Sequence, residues 1–547
     1  MSAAPFDRRA MLERLEREHF DVLVVGGGIT GAGVALDAAT RGLRTALVEA
    51  GDFASGTSSK SSKLVHGGLR YLQQGDVRLV YDALHERQRL RRNAPHLVTL
   101  LPFMIPILTR DGLIPRRVAR ALGSAMWMYD LTGGFRIGKL HKRLDADEAF
   151  AHLPTMSRDR LAGGYLYYDA TTDDARLVLT IARTAAVHGA VVANRARVTG
   201  LIKGDGDLVA GARLDVGDRQ IEMRARAVVN AAGVWSDEVR ALEDGVDPDS
   251  IRPAKGVHLT VPWEKVRNDI AVVIPVPGDR RSLFVVPWGP RPDGTYEHTY
   301  VGTTDTDYDG PLEDPTCTAD DIAYVLGALN AAVTTGITPD DVSGVWAGLR
   351  PLVKSVQSAR TADLSRRHRV TIGPAGMVSV TGGKLTTYRE MAEDTVDVVS
   401  QQVGHKARCR TKRLPLLGAD GYRAAPAGTR SAHLGARYGT LATEIEALVA
   451  ADPSLGEPLV DGLPYLRAEA VYAVRHEMAT TLVDVLARRT RAHLFDRPAT
   501  LAAAPGVAKL IGDQLGWNDD EVVRQLAEYG ALVSDEETDA GTIAASA

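Results

Sequence analysis

Cysteine is nearly absent. Two residues in 547, Cys317 and Cys409, are too few for a disulfide framework or a cysteine-rich metal site, and fit a reducing cytoplasm. No apolar run approaches the roughly 20 residues of a membrane span, so a soluble or surface-lying protein is expected. The N-terminus, MSAAPFDRRAMLERLEREHF, is charged and helix-like and has no signal-peptide core. A net charge of −4 gives no bulk argument for nucleic-acid binding. The 14 histidines show no ligand-like spacing, so no metal site is expected. What is present is ordinarily globular, 45% hydrophobic and 24% charged, in a chain long enough for two or three domains.

The organising stretch is DVLVVGGGITGAGVALDAATRGLRTALVE, Asp21 to Glu49. It reads as strand, glycine turn, helix, and a second strand ending in an acid: the dinucleotide-binding βαβ unit. Gly26 lets the chain leave the strand, Gly28 keeps a side chain off a pyrophosphate, and Gly31 lets the helix pack close. The helix N-terminus at Ile29 and Thr30 offers N–H groups and partial positive charge to a diphosphate. Glu49 is placed to accept hydrogen bonds from ribose hydroxyls. FAD and a nicotinamide both remain open at this point.

A polar loop follows, GTSSKSSKLVHGGLRYL. Thr57, Ser58, Ser59, Lys60 and Ser62 are placed along the nucleotide, and His66, Gly67, Gly68 and Leu69 close the loop beside Arg70 and Tyr71. Residues 76–93 read as a charged surface helix. In 111–129, Arg116, Arg117 and Arg120 sit near Leu122, Met126, Trp127 and Tyr129. This segment reads either as an interfacial membrane helix or as a helix packed on the protein itself, and the second weighs more. Strands are expected near 164–171, 190–203 and 224–233, with a helix over 174–188. The middle, 245–370, carries proline-punctuated strand runs suited to a mixed or antiparallel sheet. Candidate cations there are Lys255, Arg350, Arg366, Arg367 and His368, with His258 as an imidazole. A strand then stops at Gly382-Gly383, and a helix starts near Lys384–Thr386. Helices are expected in RYGTLATEIEALV, EAVYAVRHEMATTLVDVLARRTR and DDEVVRQLAEYG.

The segment GTSSKSSKLVHGGLRYL, with AGLRPL, LSRRH, TGGKLTTYR and the C-terminal AEAVYAVRHEMA and DVLARRTR, resembles the FAD-dependent, quinone-linked glycerol-3-phosphate dehydrogenases and the related oxidases. The resemblance covers about residues 20–530. It implies an α/β fold: a Rossmann-like FAD-binding domain of the glutathione-reductase/amino-acid-oxidase type, an antiparallel-sheet substrate cap and a C-terminal helical domain. The expected division is a leading helix at 1–20, a FAD domain from 21–110, 150–245 and 370–410, and a cap from 111–149 and 246–369. Helices then fill 411–535, and a disordered tail runs over 536–547. FAD contacts are expected from the residues named above and from Val198, Ala232, Gly233, Trp235, Gly383, Lys384, Leu385 and Thr386. FAD is expected to be non-covalent, the family pattern arguing against a linkage at His66.

The implied reaction is oxidation of sn-glycerol 3-phosphate to dihydroxyacetone phosphate by hydride transfer to flavin N5. Arg70, Tyr71, Arg350, Arg366 and Lys384 are expected around the phosphate, where arginine's planar fork donates two hydrogen bonds. His258 is the preferred base, neutral imidazole taking the hydroxyl proton. Alternatively Arg350 or Lys384 lowers the hydroxyl pKa and His258 only positions. Quinone is the expected acceptor, with dioxygen (an oxidase) as the alternative. A non-catalytic, membrane-docking FAD sensor and an amino-acid amine oxidase are the competing readings. A homodimer, cytoplasmic or peripheral on the inner face of the cell membrane, completes the expectation.

Overall fold

The computed structural model describes residues 6–68, 77–113, 123, 126, 127, 129, 138–279, 281–354 and 368–541. The described strands, in chain order, are β1 (His19–Val25), β2 (Thr45–Val48), β3 (Leu64–Val65), β4 (Thr99–Leu108), β5 (Lys142–Leu144), β6 (Leu161–Thr171), β7 (Val191–Ala193), β8 (Arg197–Lys203) and β9 (Val209–Val216). They continue as β10 (Arg219–Asn230), β11 (Ile251–Pro262), β12 (Ala271–Pro275), β13 (Ser282–Pro290), β14 (Tyr296–Gly302), β15 (Thr306–Asp307), β16 (Gly344–Val353), β17 (Arg369–Ile372) and β18 (Val378–Thr381).

They form two sheets. In the first, β18, β10, β1, β2 and β7 run parallel, flanked by antiparallel β17 and by the β8–β9 hairpin on β10. The helix Ile29–Thr40 lies against this sheet and between the helices Asp174–Val187 and Tyr388–Gln402. Eleven of its twelve residues are buried, which is why it reads as alanine-rich on every face rather than as amphipathic.

The second sheet runs β15-β11-β14-β13-β12-β4-β6-β3, with β16 on β11 and β5 on β6. Only its β12–β4 pair is parallel among the described pairings. Residues 99–108 and 161–171, expected in the cofactor domain, therefore belong to the cap sheet. They pair with each other almost end to end, from Thr99 opposite Thr171 to Leu108 opposite Leu161. Alternation on β11 sorts two environments. Val257, Leu259 and Val261 enter an apolar core beneath the helix Ala319–Ala332, while Gly256, His258 and Thr260 face the other way.

Helices fill the C-terminal region, with two differences from expectation. The EAVYAVRHEMATTLVDVLARRTR stretch is not one helix: Arg467–Glu477 ends where Met478 takes φ 54°, and a π-helical turn follows at Asp484–Arg489. The RYGTLATEIEALV stretch likewise breaks at Gly439, between the helices Arg430–Tyr438 and Ala442–Ala451. The tail expected to be disordered from 536 is also corrected as far as the description reaches. The last helix, Asp519–Asp539, runs on through it because Glu536 is held by His493 and Arg497.

Candidate active site

At the first turn, backbone approaches backbone. Gly26 adopts φ +110°, and a Cβ on Gly31 would lie 1.8 Å from the Gly26 carbonyl oxygen. Only glycine lets the helix begin there. Ala231 N–H donates to the Val25 carbonyl at 2.8 Å, so the end of β10 closes on the same corner. Glu49 ends β2 half-buried, accepting from Gly27 N–H at 2.6 Å and Gly51 N–H at 2.8 Å. Burial pushes its pKa up, and the two N–H groups oppose that shift. The helix N-terminus has no side-chain cap from Gly28, and Ile29 N–H donates instead to Ser58 Oγ at 2.9 Å.

The serine-threonine loop lies between this corner and the cap sheet. Thr57 Oγ1 donates to the Leu349 carbonyl at 2.5 Å, and Trp346 Nε1 donates to the Ser61 carbonyl at 3.2 Å. Ser59 is buried, Lys60 pairs with Asp314 at 3.2 Å, and Ser62 Oγ meets His258 Nε2 at 2.9 Å. His258 is buried and stacked on Trp346, with ring centroids 4.8 Å apart and planes 8° from parallel. Its Nδ1 is buried and has no hydrogen-bond partner among the described residues. Burial first, then the Lys63 and Arg350 cations, hold the imidazole well below its ordinary pKa, so it is neutral near pH 7.

Strand register places Arg350 on the same face. Ala254 pairs with Arg350, Gly256 with Gly348 and His258 with Trp346. The paired glycines leave a gap, which the Arg350 guanidinium fills from one side, 2.6 Å from where a Gly256 Cβ would stand. Arg350 is fixed by Asp305 at 3.0 Å, Thr303 Oγ1 at 3.2 Å and the Thr304 carbonyl at 3.0 Å. Lys255 points to the opposite face and pairs with Asp321 at 2.6 Å, which removes it from the His258 side.

The third wall comes from the end of the first sheet. After β18, Gly382 and Gly383 take φ +73° and +91°, and half-buried Lys384 precedes the single turn Leu385–Thr387 and the helix Tyr388–Gln402. Thr386 Oγ1 accepts from His66 N–H at 3.2 Å and donates to its carbonyl at 3.3 Å, tying this turn to the loop. Gly67 N–H donates to Asp169 at 3.1 Å, and Gly68 takes φ +75°. Val198 pairs across the hairpin with Leu214, Ala232 N–H donates to Asn230, Gly233 takes φ +62°, and Trp235 Nε1 reaches Glu313 at 3.3 Å. His368 pairs with Asp394 at 2.9 Å. Leu69, Arg70, Tyr71, Arg116, Arg117, Arg120, Leu122, Arg366 and Arg367 lie outside the described residues.

A family of FAD-dependent oxidoreductases matches residues 21–389, and the C-terminal domain of α-glycerophosphate oxidase matches residues 409–522. The chain is 41% identical to glycerol-3-phosphate dehydrogenase 2 of Mycobacterium tuberculosis, over 97% of this chain and 91% of that one. The chain belongs to the FAD-dependent glycerol-3-phosphate dehydrogenase family. Human mitochondrial glycerol-3-phosphate dehydrogenase is 37% identical, over 95% of this chain and 74% of that one. The solved glycerol-3-phosphate dehydrogenase of Bacillus halodurans, complexed with FAD, superposes with a TM-score of 0.75 at 30% identity, covering 97% of both chains.

For a member of this family, four neighbours of the site escaped the sequence reading: Lys63, Asp174, Trp346 and Asp305. Each bears on His258 or Arg350. Trp346 lies four residues along the strand from Arg350, on the same face, so strand alternation was the signal that pointed to it. Asp174 and Asp305 carry no local signal, because their partners are distant in sequence.

Proposed function

We propose that this chain oxidises sn-glycerol 3-phosphate to dihydroxyacetone phosphate with FAD as its resident cofactor and a quinone as final acceptor. The observation that carries the reading is His258: a buried, neutral imidazole, one nitrogen tied to Ser62, the other without a partner among the described residues, on the same sheet face as Arg350.

The residues fit FAD. The corner at Gly26–Gly31 brings backbone N–H groups of a helix N-terminus together with the Ser58 hydroxyl, a diphosphate site by its donor chemistry. Glu49 retains lone pairs for ribose hydroxyls beyond the two backbone N–H groups it accepts. Thr57, Ser58 and the His66–Gly68 turn run from that corner towards Lys384–Thr386 and would hold the rest of the cofactor. FAD, when bound, supplies the acceptor for the hydride leaving C2.

The chain's own residues do the remainder. His258, neutral and tied to Ser62 through Nε2, is the proposed acceptor of the C2 hydroxyl proton. Arg350, held rigid by Asp305, Thr303 and Thr304, presents a fixed positive charge towards the substrate oxygens. Arg70, Tyr71 and Arg366 complete the proposed phosphate set. Lys384 and the helix N-terminus behind it favour negative charge at their end of the cofactor.

Two exposed apolar side chains, which would suit contact with a membrane surface, support quinone as acceptor. Trp127 is 54% exposed and packs its ring edge-on to His141, beside Leu140 at 49% exposed. Among the described residues no helix is long and apolar enough to cross a bilayer, so contact would be peripheral. A homodimer is part of the proposal, to be checked by light scattering.

The test is anaerobic titration of the purified protein with glycerol 3-phosphate, glycerol and an amino acid, following flavin absorbance. Bleaching by glycerol 3-phosphate alone is expected, with re-oxidation faster by a quinone than by dioxygen. A flavin that glycerol 3-phosphate does not bleach, or that the amino acid bleaches, overturns the reading.

A further inference from the structure

The His258–Ser62 pair is held from behind by the C-terminal helices. Arg491, buried and with φ 75°, donates from Nη2 to Asp174 Oδ1 at 3.0 Å and to the Ser59 carbonyl. Asp174 in turn accepts from Ser61 N–H at 3.0 Å and Ser61 Oγ at 2.7 Å, and pairs with Lys63 at 3.3 Å. These contacts fix the backbone on both sides of Ser62, whose own carbonyl accepts from Tyr300 at 3.0 Å. The Lys63 ammonium sits 4.5 Å over the Trp346 ring on which His258 stacks.

The same stretch also grips the opposite wall. The Leu494 carbonyl, three residues on, accepts from Thr260 Oγ1 at 2.8 Å, and Arg497 N–H donates to the Ser343 carbonyl at 3.0 Å. Thr260 is two residues from His258 on β11, and pairs there with Gly344, two residues from Trp346. One short segment, residues 491–497, thus holds both the loop that carries Ser62 and the strands that carry His258.

We propose that Arg491 is a positioning residue for the reaction and that residues 491–497 form a clamp setting the reach between Ser62 and His258. This rests on the reading of His258 as base. The C-terminal helical domain then works inside the reaction rather than beside it. A shift of about an ångström between reacting groups costs up to roughly 100-fold in rate. Arg350 lies further along β16, its guanidinium held by Asp305, Thr303 and Thr304 rather than by residues 491–497, so the larger change is expected in kcat and the smaller in KM.

The experiment measures kcat per bound flavin, KM for glycerol 3-phosphate, FAD content and Tm for Arg491→Lys, Thr260→Val and His258→Gln. Arg491→Lys keeps the buried charge but loses the planar fork. The expected result is kcat per flavin down by roughly 10- to 100-fold in Arg491→Lys, with KM within about threefold and FAD retained. Thr260→Val, which removes one hydrogen bond, shifts kcat in the same direction by less. Unchanged kcat per flavin in both variants, or losses matched by lost FAD and Tm, overturns the clamp. If His258→Gln itself keeps full kcat, the base reading falls and the clamp with it. If only His258→Gln is inactive, the clamp alone falls.

Discussion

Around Gly26–Gly31 the site is made by backbone: N–H groups, carbonyls and the absence of side chains. Around Asp52, Asp173 and Asp174 it is made by charge. Asp52 accepts from Arg488 at 2.7 Å, from Arg489 at 2.6 and 2.9 Å and from Asn194 at 3.0 Å. Glu477, fully buried, pairs with Arg176 and Arg183, and Asp484 with Arg195 and Arg488. Both regions keep polar groups dry. The first does so by backbone approach at a corner that Glu49, Ser58 and Ala231 close, the second with charged partners up to 437 positions apart. A backbone site tolerates no added atom, whereas a charge site tolerates no lost partner.

The largest expected effect tests the first half of that contrast. Gly31→Ala puts a methyl 1.8 Å from the Gly26 carbonyl oxygen, so FAD-loaded protein should be lost. Gly28→Ala meets only the Ser58 hydroxyl at 3.1 Å and should fold with weakened FAD retention. Absorbance of the purified proteins decides, and equal yellow yields would break the comparison.

Next, Asp52→Asn leaves Arg488 and Arg489 buried without the Asp52 carboxylate. Arg488 keeps Asp484 and Arg489 keeps Glu477, so the cost in denaturant unfolding should fall at or below the low end of the roughly 3–5 kcal/mol for removing one partner of a buried ion pair. A cost near zero would show that the charged junction is solvated in practice.

Lys63→Met separates charge from position. Burial and the neighbouring Arg491 lower the Lys63 pKa to about 8, while Asp174 and Asp173 support its charged form. At pH 7 its charge helps keep His258 neutral. Removing it raises the His258 pKa, and because the base acts when neutral, the acid limb of kcat/KM should move to higher pH. An unmoved limb would mean that Lys63 acts only through packing.

The smallest effect concerns His96, buried beside Arg176 and Tyr422 with both ring nitrogens unpartnered and its pKa pulled down to about 4 by burial. The folded imidazole resists a proton that the unfolded chain accepts near pH 6.5. Stability is therefore lost as pH falls from about 6.5 towards 4, by about 1.4 kcal/mol per pH unit for this group. His96→Phe should flatten that slope in unfolding measured at pH 7, 6 and 5.

The same contrast explains what was legible beforehand. The βαβ unit, the turn at Gly382-Gly383 and the helix Asp174–Val187 follow from local backbone demands, and residue order announces them. Sheet membership does not. TLLPFMIPIL is an apolar run wherever it pairs, and its pairing with β12 on one side and residues 161–171 on the other assigns it to the second sheet. The polar end of the last helix looks like a tail until His493 and Arg497 are seen beside Glu536. His258 and Arg350 were found as residue types in motifs, but their shared face depends on a register that no local pattern encodes.

The π-helical turn Asp484–Arg489 brings consecutive arginines, Arg488 and Arg489, onto one carboxylate, Asp52. In inheritance, that makes the two matched segments of this chain a single unit. Exchanging the C-terminal segment between diverged relatives, or ending the chain at 408, would strand Asp52, Asp173 and Asp174 without the arginines that answer them. Each side holds acids that the other side's arginines answer, Asp52 with Arg488 and Arg489, Glu477 with Arg176 and Arg183, so the two must be handed down together.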